Sequence, residues 1–278
     1  MTTVTRFAPS PTGHLHLGHA FSAVFARQAA GQDGRFLLRI EDIDATRCRP
    51  AFTEAIFEDL AWLGLDWEKT VRCQSAHMAD YAAVLDNLAA RGLTYPCFCT
   101  RKDIEEAAGA PHLQRLGPEG LVYPGTCRAL SPTDADERIA AGISFALRLK
   151  TDEALRQTGP LFWQDRNKGR QAARPELFGD VVLARKDTPT SYHLAVTHDD
   201  ALQGVTLVTR GEDLFAATHI HRLLQALMDW PVPNYHHHGL LVGNDGKRLA
   251  KRDKAATLRA LREAGGTAEA VRLRLGFA

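Results

Sequence analysis

An α/β fold built on a parallel sheet is what this sequence predicts, and three observations carry the prediction. Strand-like and helix-like segments alternate from Val4 to Leu93. The strand-like segments are near-continuous apolar runs, as in strands covered by helices on both faces. Glycines (Gly31, Gly92) close the helical segments where a left-handed residue is needed to end a helix.

Taken in order, Val4 to Ala8 reads as a short strand that ends in the turn-rich "PSPTG". Leu17 to Ala30, "LGHAFSAVFARQAA", has helical periodicity and stops before Gly31. "RFLLRIEDID" contains Phe36, Leu37, Leu38 and Ile40, the pattern of a buried parallel strand. "TEAIFEDLAWLGLDW" and "MADYAAVLDNLAARGL" are amphipathic helices, and strand, helix, strand, helix is the α/β signature. The pattern then breaks. From "CFCT" to "ALSP" the chain is rich in Gly and Pro and reads as an insert. "ISFALRLK" and "FGDVVLARKD" are strand-like, the latter turning at "DTPT" into "SYHLAVTHDD". "VTLVTRGEDL" is another buried strand, followed by the helix "FAATHIHRLLQALMD". Two short helical patterns flank Gly265 and Gly266, and the run "YHHHGLL" reads as a solvated strand approach.

The 278 residues suggest about two structural units, at ~150 residues each. A hydrophobic content of 45% supports a real core. The net charge of +1 gives no overall attraction for nucleic acid, so no DNA partner is expected and any RNA contact needs a local basic patch. The Lys/Arg-rich C-terminal part offers one. "MTTVTRFAPS" lacks the basic and apolar regions of a signal peptide, and no apolar run approaches the ~20 residues of a membrane helix. Five cysteines, an odd number, argue against a disulfide framework. A reduced, cytoplasmic, soluble protein with no membrane partner is expected.

The stretch "APSPTGHLHLGHA" crowds His14, His16 and His19 into the start of a predicted helix. His16 and His19 stand three apart and share a face, with Gly18 between them offering close approach to the backbone. A helix N-terminus presents unpaired N–H groups and partial positive charge, the natural seat for phosphate. Two imidazoles there can donate to charge developing on a transferring phosphate. The spacing is not that of a zinc hydrolase, which needs two histidines four apart beside a Glu.

With "RIEDID" downstream, the segment "RFAPSPTGHLHLGH" resembles the N-terminal signature of class I glutamyl- and glutaminyl-type tRNA synthetases. Their H-I-G-H motif stands here as His16-Leu17-Gly18-His19. The resemblance continues in "VVLARKDTPTSYHLAVTHDD", "VTRGEDL" and "GKRLAKRD", so it spans nearly the whole chain in order. It implies a Rossmann-like catalytic sheet with an inserted zinc-binding subdomain and a short helical C-terminal region. The divisions expected are 1–96 and 179–230 for the two halves of the catalytic domain, 97–178 for the insert and 231–278 for the phosphate loop and last helices.

The resemblance further implies an acidic amino acid substrate. Arg6, Phe7, Ala8, Pro9 and Ser10 would line one wall, and Glu41 would meet the ammonium. Tyr192 and Arg210 would complete the pocket, an arginine being the best grip on a carboxylate. His16, Gly18, His19, Arg248 and Lys251 would hold ATP, used with Mg²⁺, with His16, His19 and Lys251 catalytic. The family's mobile K-M-S-K-S loop corresponds to Arg248-Leu249-Ala250-Lys251-Arg252. Here the first lysine is Arg248, with Lys247 adjacent, and the serine is Ala250, so the charge survives and the hydroxyl does not.

"PCFCT" and "YPGTCR" give Cys97, Cys99 and Cys127, three possible ligands where zinc takes four. The residues alone leave Tyr123 and His112 as candidates for the fourth. Cys48 and Cys73 read as ordinary thiols. A short branch of the family carries a structural zinc bound by a Cys-x-Cys…Tyr-x-x-x-Cys pattern, which implies Tyr123. That branch lacks an anticodon-reading domain and attaches glutamate to queuosine in the anticodon of tRNA(Asp). This chain has little sequence after Lys254 for such a domain, which points to the same branch. The rival readings are a truncated enzyme charging a tRNA 3′ end and an inactive paralogue that binds RNA or senses an amino acid.

Overall fold

The computed structural model describes residues 2–108, 115–240 and 257–277. The chain begins with β1 (Val4–Phe7), α1 (Leu17–Ala30), β2 (Arg35–Ile40), α2 (Pro50–Trp62), β3 (Arg72–Cys73) and α3 (Met78–Ala90). Next come β4 (Thr94–Cys97), α4 (Arg101–Ala108), β5 (Leu116–Gly117), β6 (Gly120–Leu121), α5 (Pro132–Ala140) and β7 (Ala146–Leu149). Then follow α6 (Thr151–Thr158), β8 (Phe162–Asp165), β9 (Gly169–Ala172), β10 (Val182–Ala184), α7 (Tyr192–Leu202) and β11 (Leu207–Gly211). The last elements are α8 (Thr218–Leu227), β12 (Asn234–His238), α9 (Leu258–Glu263) and α10 (Ala268–Arg274).

β1, β2 and β3 pair in parallel, and β11 pairs in parallel with β12, which meets β8 at Tyr235 and Asp165. The two groups are laced together at β1 and β11. There Thr206 N donates to the Val4 carbonyl at 3.0 Å, and Val4 N donates to Thr206 Oγ1 at 2.9 Å. The resulting order β3-β2-β1-β11-β12 reverses direction between β1 and β11. In an open parallel sheet that reversal leaves a crevice beyond the strand ends, where ligands bind. α1 packs on both strands that flank the crevice. Its apolar positions Leu17, Ala20, Val24 and Ala30 are buried, and Gly31, at φ 79°, ends it. β10, β7 and β4 form a separate antiparallel sheet. No helix among the described residues is long and apolar enough to cross a membrane.

α1, β2 and α3 fall where the periodicity predicts them. α2 begins earlier than expected, at Pro50, because proline is already set for the first helical turn. The hairpin β8–β9 had no clear signal, since Gln164, Asp165, Arg170 and Gln171 interrupt its apolar pattern. The histidine run differs most from expectation. It is not solvated: β12 lies between β11 and β8, and His237 and His238 are only 3% and 6% exposed. Neutral imidazoles with fixed partners replace the hydration that the sequence pattern suggested.

The strands are tied from beneath by the end of α7. Asp200 accepts from Arg6 Nε of β1 at 2.9 Å and from Arg39 Nη1 of β2 at 2.8 Å. Asp199 accepts from Arg72 Nε of β3 at 2.8 Å, Gln74 Nε2 at 2.9 Å and Tyr81 Oη of α3 at 2.9 Å. Burial opposes ionisation of both carboxyls, but the surrounding donors outweigh it and hold both below the usual carboxylate range. Removing one partner of such a buried pair strands the other charge, at ~3–5 kcal/mol. Asp200→Ala, which strands Arg6 and leaves Arg39 with Glu41, is expected to lower the midpoint of urea unfolding by about that equivalent. An unchanged midpoint would show that the carboxylate does not hold the strands.

Candidate active site

A cavity of about 800 Å³ opens at the reversal between β1 and β11. Arg6, Phe7, Ala8, Pro9 and Ser10, which run off the end of β1, form one wall. His16, Gly18 and His19 at the start of α1, Glu41 just past β2, Tyr192 at the start of α7 and Arg210 near the end of β11 also line it. Every described residue singled out for amino acid or nucleotide contact is therefore in one cleft. Arg248 and Lys251 lie outside the described residues. The chain leaves the described part from Gly239 and Leu240, which line the same cavity. It resumes at Thr257, which bridges His16 in antiparallel fashion, while Leu258 N donates to the Leu15 carbonyl at 2.8 Å.

The histidine pair builds its own helix cap. His16 Nδ1 accepts from Gly18 N at 3.1 Å, and His19 Nδ1 accepts from His16 N at 3.2 Å. This is a reciprocal capping box made of imidazoles. A backbone N–H can only donate, so each ring carries its proton on Nε2. The rings lie 3.9 Å apart, tilted by 33°. A Cβ at Gly18 would stand 3.0 Å from His16 Cε1, so glycine is what allows the His16 ring to fold back onto the helix start.

The cavity's charges are nearly all paired within the protein. Arg6 is held in a fork by Asp200 and also donates to the Thr209 carbonyl at 3.2 Å. Arg39, fully buried, bridges Asp200 and Glu41, the latter at 3.1 Å. Burial pushes the Glu41 carboxyl up, against the pull of Arg39 and Arg6. Arg210 differs. Its donors go to neutral groups: Nε to His237 Nε2 at 3.1 Å, Nη2 to Thr218 Oγ1 at 2.6 Å, and Nη1 to His221 Nδ1 at 3.2 Å and Tyr192 Oη at 3.5 Å. Among the described residues no carboxylate pairs with it. The cavity thus holds, among the described residues, one buried cation without a carboxylate partner, Arg210, and also the carboxylate Glu41.

Sequence reasoning missed Arg39, Asp200, Thr218 and His221. For the aspartates a signal existed: Asp199 and Asp200 end the helix "YHLAVTHDDAL", most of whose residues are buried, so a carboxylate there must meet a cation. Arg39 was hidden inside an apolar strand, and His221 and Thr218 have no pattern of their own.

In the insert, Cys97, Cys99 and Cys127 bring their sulfurs within 4.8 Å of one another. Cys99 Sγ lies 3.4 Å from Cys127 Sγ and 3.6 Å from Tyr123 Oη. Tyr123 Oη also accepts from Cys127 N at 2.7 Å, which anchors the phenol beside the sulfurs. Three thiols and one phenol oxygen at a point, under a cover of Phe98 and Tyr95, form a donor set suited to a thiophilic cation. Burial pushes the Cys99 thiol up to about 11. His112 lies outside the described residues. Cys48 and Cys73 are half-buried and stand apart from the cluster.

Comparison with known proteins agrees with this geometry. The family profile "tRNA synthetases class I (E and Q), catalytic domain" matches residues 2–276. The chain belongs to that family. Within it, the chain is 50% identical to a protein of Rhodobacter capsulatus named glutamyl-Q tRNA(Asp) synthetase, over 99% of this chain and 100% of that one. A glutamate–tRNA ligase of Aquifex aeolicus is 38% identical over 96% of this chain, which spans 55% of that protein. The crystal structure of a glutamate tRNA ligase from Elizabethkingia meningosepticum, in complex with its amino acid, superposes with a TM-score of 0.76 at 26% identity. It covers 91% of this chain and 52% of its own.

The partners of Arg210 set a pH dependence. Burial and the Arg210 charge lower His237 to about 4, against the pull of Asp165 at 2.7 Å. The unfolded chain binds a proton at ~6.5, so between those values the unfolded state takes up more protons than the folded one. This contribution to stability is complete above that range and is lost as pH falls through it to about 4. Thermal unfolding followed from pH 7 to 4 is expected to show a falling Tm. Its slope should flatten in His237→Gln, which cannot titrate.

Proposed function

We propose that the protein activates L-glutamate with ATP and transfers it to queuosine in the anticodon of tRNA(Asp). One observation carries this reading: the motif residues for an acidic amino acid and those for a nucleotide line a single cleft, in a chain similar along its whole length to an enzyme named for that activity. Glutamate brings two carboxylates and one ammonium, a net charge of −1 that matches the one buried cation left without a carboxylate partner among the described residues. Arg210 takes the side-chain carboxylate, with the Tyr192 hydroxyl beside it, and Glu41 takes the ammonium. The α-carboxylate is then left for the side of the cleft where His16 and His19 stand.

An oxygen of that α-carboxylate attacks the α-phosphorus of ATP in line, and pyrophosphate leaves with the bonding electrons of its bridging oxygen. The Nε2–H groups of His16 and His19 stabilise charge on the phosphates. Lys251 and Arg248 supply cationic charge, and Mg²⁺ accompanies the ATP. A hydroxyl of the queuosine cyclopentenediol then attacks the acyl carbon of the glutamyl-adenylate. An ester forms and AMP departs with the electrons of the broken anhydride bond. A strong base is unnecessary because AMP leaves easily. tRNA is the partner, so the cytoplasm is where the protein works.

The test is transfer of labelled glutamate to tRNA(Asp) with and without the modified base, beside tRNA(Glu). Only queuosine-containing tRNA(Asp) is expected to become labelled; equal labelling of tRNA(Glu) would instead support charging of a 3′ end. In the same preparation His19→Ala is expected to lower glutamate-dependent ATP–pyrophosphate exchange by ~10²–10³-fold, the usual effect of losing one preorganised donor. A rate close to wild type removes His19 from the mechanism.

The ion of the insert is proposed to be zinc, held by Cys97, Cys99, Cys127 and Tyr123 in a structural role. A closed four-ligand site stabilises a subdomain with little apolar core of its own. Metal analysis is expected to give one zinc per chain, lost in Cys127→Ser. Tyr123→Phe is expected to weaken retention against a chelator; unchanged retention would exclude the phenol as the fourth ligand.

A further inference from the structure

Arg210 lies at the head of two hydrogen-bonded chains, and the direction of both follows from one fact. A guanidinium only donates. His237 therefore accepts at Nε2 and carries its proton on Nδ1, which it gives to Asp165 at 2.7 Å. His221 accepts at Nδ1 and carries its proton on Nε2. That Nε2 lies 3.2 Å from His193 Nδ1, which must accept, and His193 Nε2 then donates to Glu119 Oε1 at 3.0 Å. The second chain runs Arg210, His221, His193, Glu119 and leaves no choice of tautomer along it.

Its far end is not part of the catalytic sheet. Glu119 sits in the turn between β5 and β6, in the insert, and its side chain is 57% exposed, whereas His193 and His221 are buried. A small cavity of about 340 Å³ is walled by Glu119, His193 and Arg148, and it shares Tyr192 and Arg185 with the large cleft. Burial, Arg210 and His193 keep His221 neutral by lowering it well below its ordinary value. His221 thus remains an acceptor rather than a second cation.

We propose that His221, His193 and Glu119 form a relay that orients Arg210 for an acidic side chain, which makes the inserted β5–β6 turn a determinant of amino acid affinity. The inference rests on Arg210 receiving the glutamate side chain as set out above. With a carboxylate at the far end, both imidazoles keep Nε2–H pointing away from Arg210, and the guanidinium keeps one fixed plane. Without Glu119, His193 can exchange tautomers, and its Nδ1–H would then face the Nε2–H of His221. These are positioning residues; none of them touches the substrate.

Two measurements test the relay. ¹⁵N shifts of the ring nitrogens in the full-length protein are expected to show bare Nδ1 and protonated Nε2 for both His193 and His221, and the reverse for His237. A proton on Nδ1 of His221 or His193 overturns the proposal. In ATP–pyrophosphate exchange, Glu119→Ala is expected to raise the KM for glutamate about three- to tenfold, as for a weakened charge-assisted contact. The kcat and the KM for ATP should stay within about twofold. Glu119→Gln, whose carbonyl oxygen still accepts from His193, is expected to restore the glutamate KM. A Glu119→Ala enzyme with the wild-type KM for glutamate, or one whose KM values for glutamate and ATP rise together, overturns it. Wild-type protein inactive with glutamate would defeat the functional reading instead, and the nitrogen shifts would still decide the relay.

Discussion

Guanidinium groups stay charged at every pH a protein meets, so each one buried must be answered by something nearby. Three strand arginines, Arg6, Arg39 and Arg72, run under the cleft, and two consecutive aspartates at the end of α7 answer all of them. This is the constraint on which the rest depends. A carboxylate with partners on two strands cannot move without breaking both contacts, so α7 and the ends of β1 and β2 hold one another in register. The desolvation involved is expensive, and hydrophobic residues of the same size would stabilise such a core equally well or better. What the charges provide is position. Ala8 and Ser10 follow from Arg6, and Glu41 follows from Arg39, so the clamp beneath sets the wall above.

The same argument explains why Arg210 is treated differently. A carboxylate placed beside it would compete with the acidic side chain proposed to bind there. Imidazoles, a threonine hydroxyl and a tyrosine hydroxyl accept its hydrogen bonds without neutralising it. The guanidinium is held but left charged. Under the proposed reading an acidic side chain gains a charge-assisted contact there, and an amide side chain, which brings no charge, leaves Arg210 without a countercharge among the described residues. On that reading, selection of glutamate over glutamine would follow from the kind of acceptor around the arginine more than from the size of the pocket.

How much of this could be read from the sequence depends on how far apart the partners lie along the chain. α1, β2 and α3 are local: their periodicity and closing glycines are written in consecutive residues, and they were legible. The cleft wall was legible as motif residues, because His16, His19, Glu41, Tyr192 and Arg210 fall in recognisable segments. What joins them was not. Arg6 and Asp200 are 194 positions apart, and Glu119 and His193 come from different subdomains. His236 to His238 looked solvated because histidine is polar, and only distant partners, Asp165 and Arg210 for His237 and Ser22 for His238, make two of them a buried part of β12. Arg248 and Lys251 belong to the sequence reading alone.

The end of the cleft proposed for phosphate is organised by the same economy. α1 needs its first N–H groups capped, and His16 and His19 do this with their Nδ1 atoms, which commits each Nε2 to carry a proton. Capping and the proposed catalytic role thus share the same rings: the bond that finishes the helix also fixes the tautomer that could donate to a phosphate. The strand edge at His16 then pairs with Thr257, where the chain returns from the basic segment, and Leu258, fully buried, packs into the core around α1. Substitution of either histidine therefore acts on the helix start and on the Nε2 proton proposed to face the nucleotide together. That shared dependence is the physical reason for this triplet of His, Gly and His at this turn. Serine or aspartate would cap the helix as well, but neither would carry a fixed N–H on its far side.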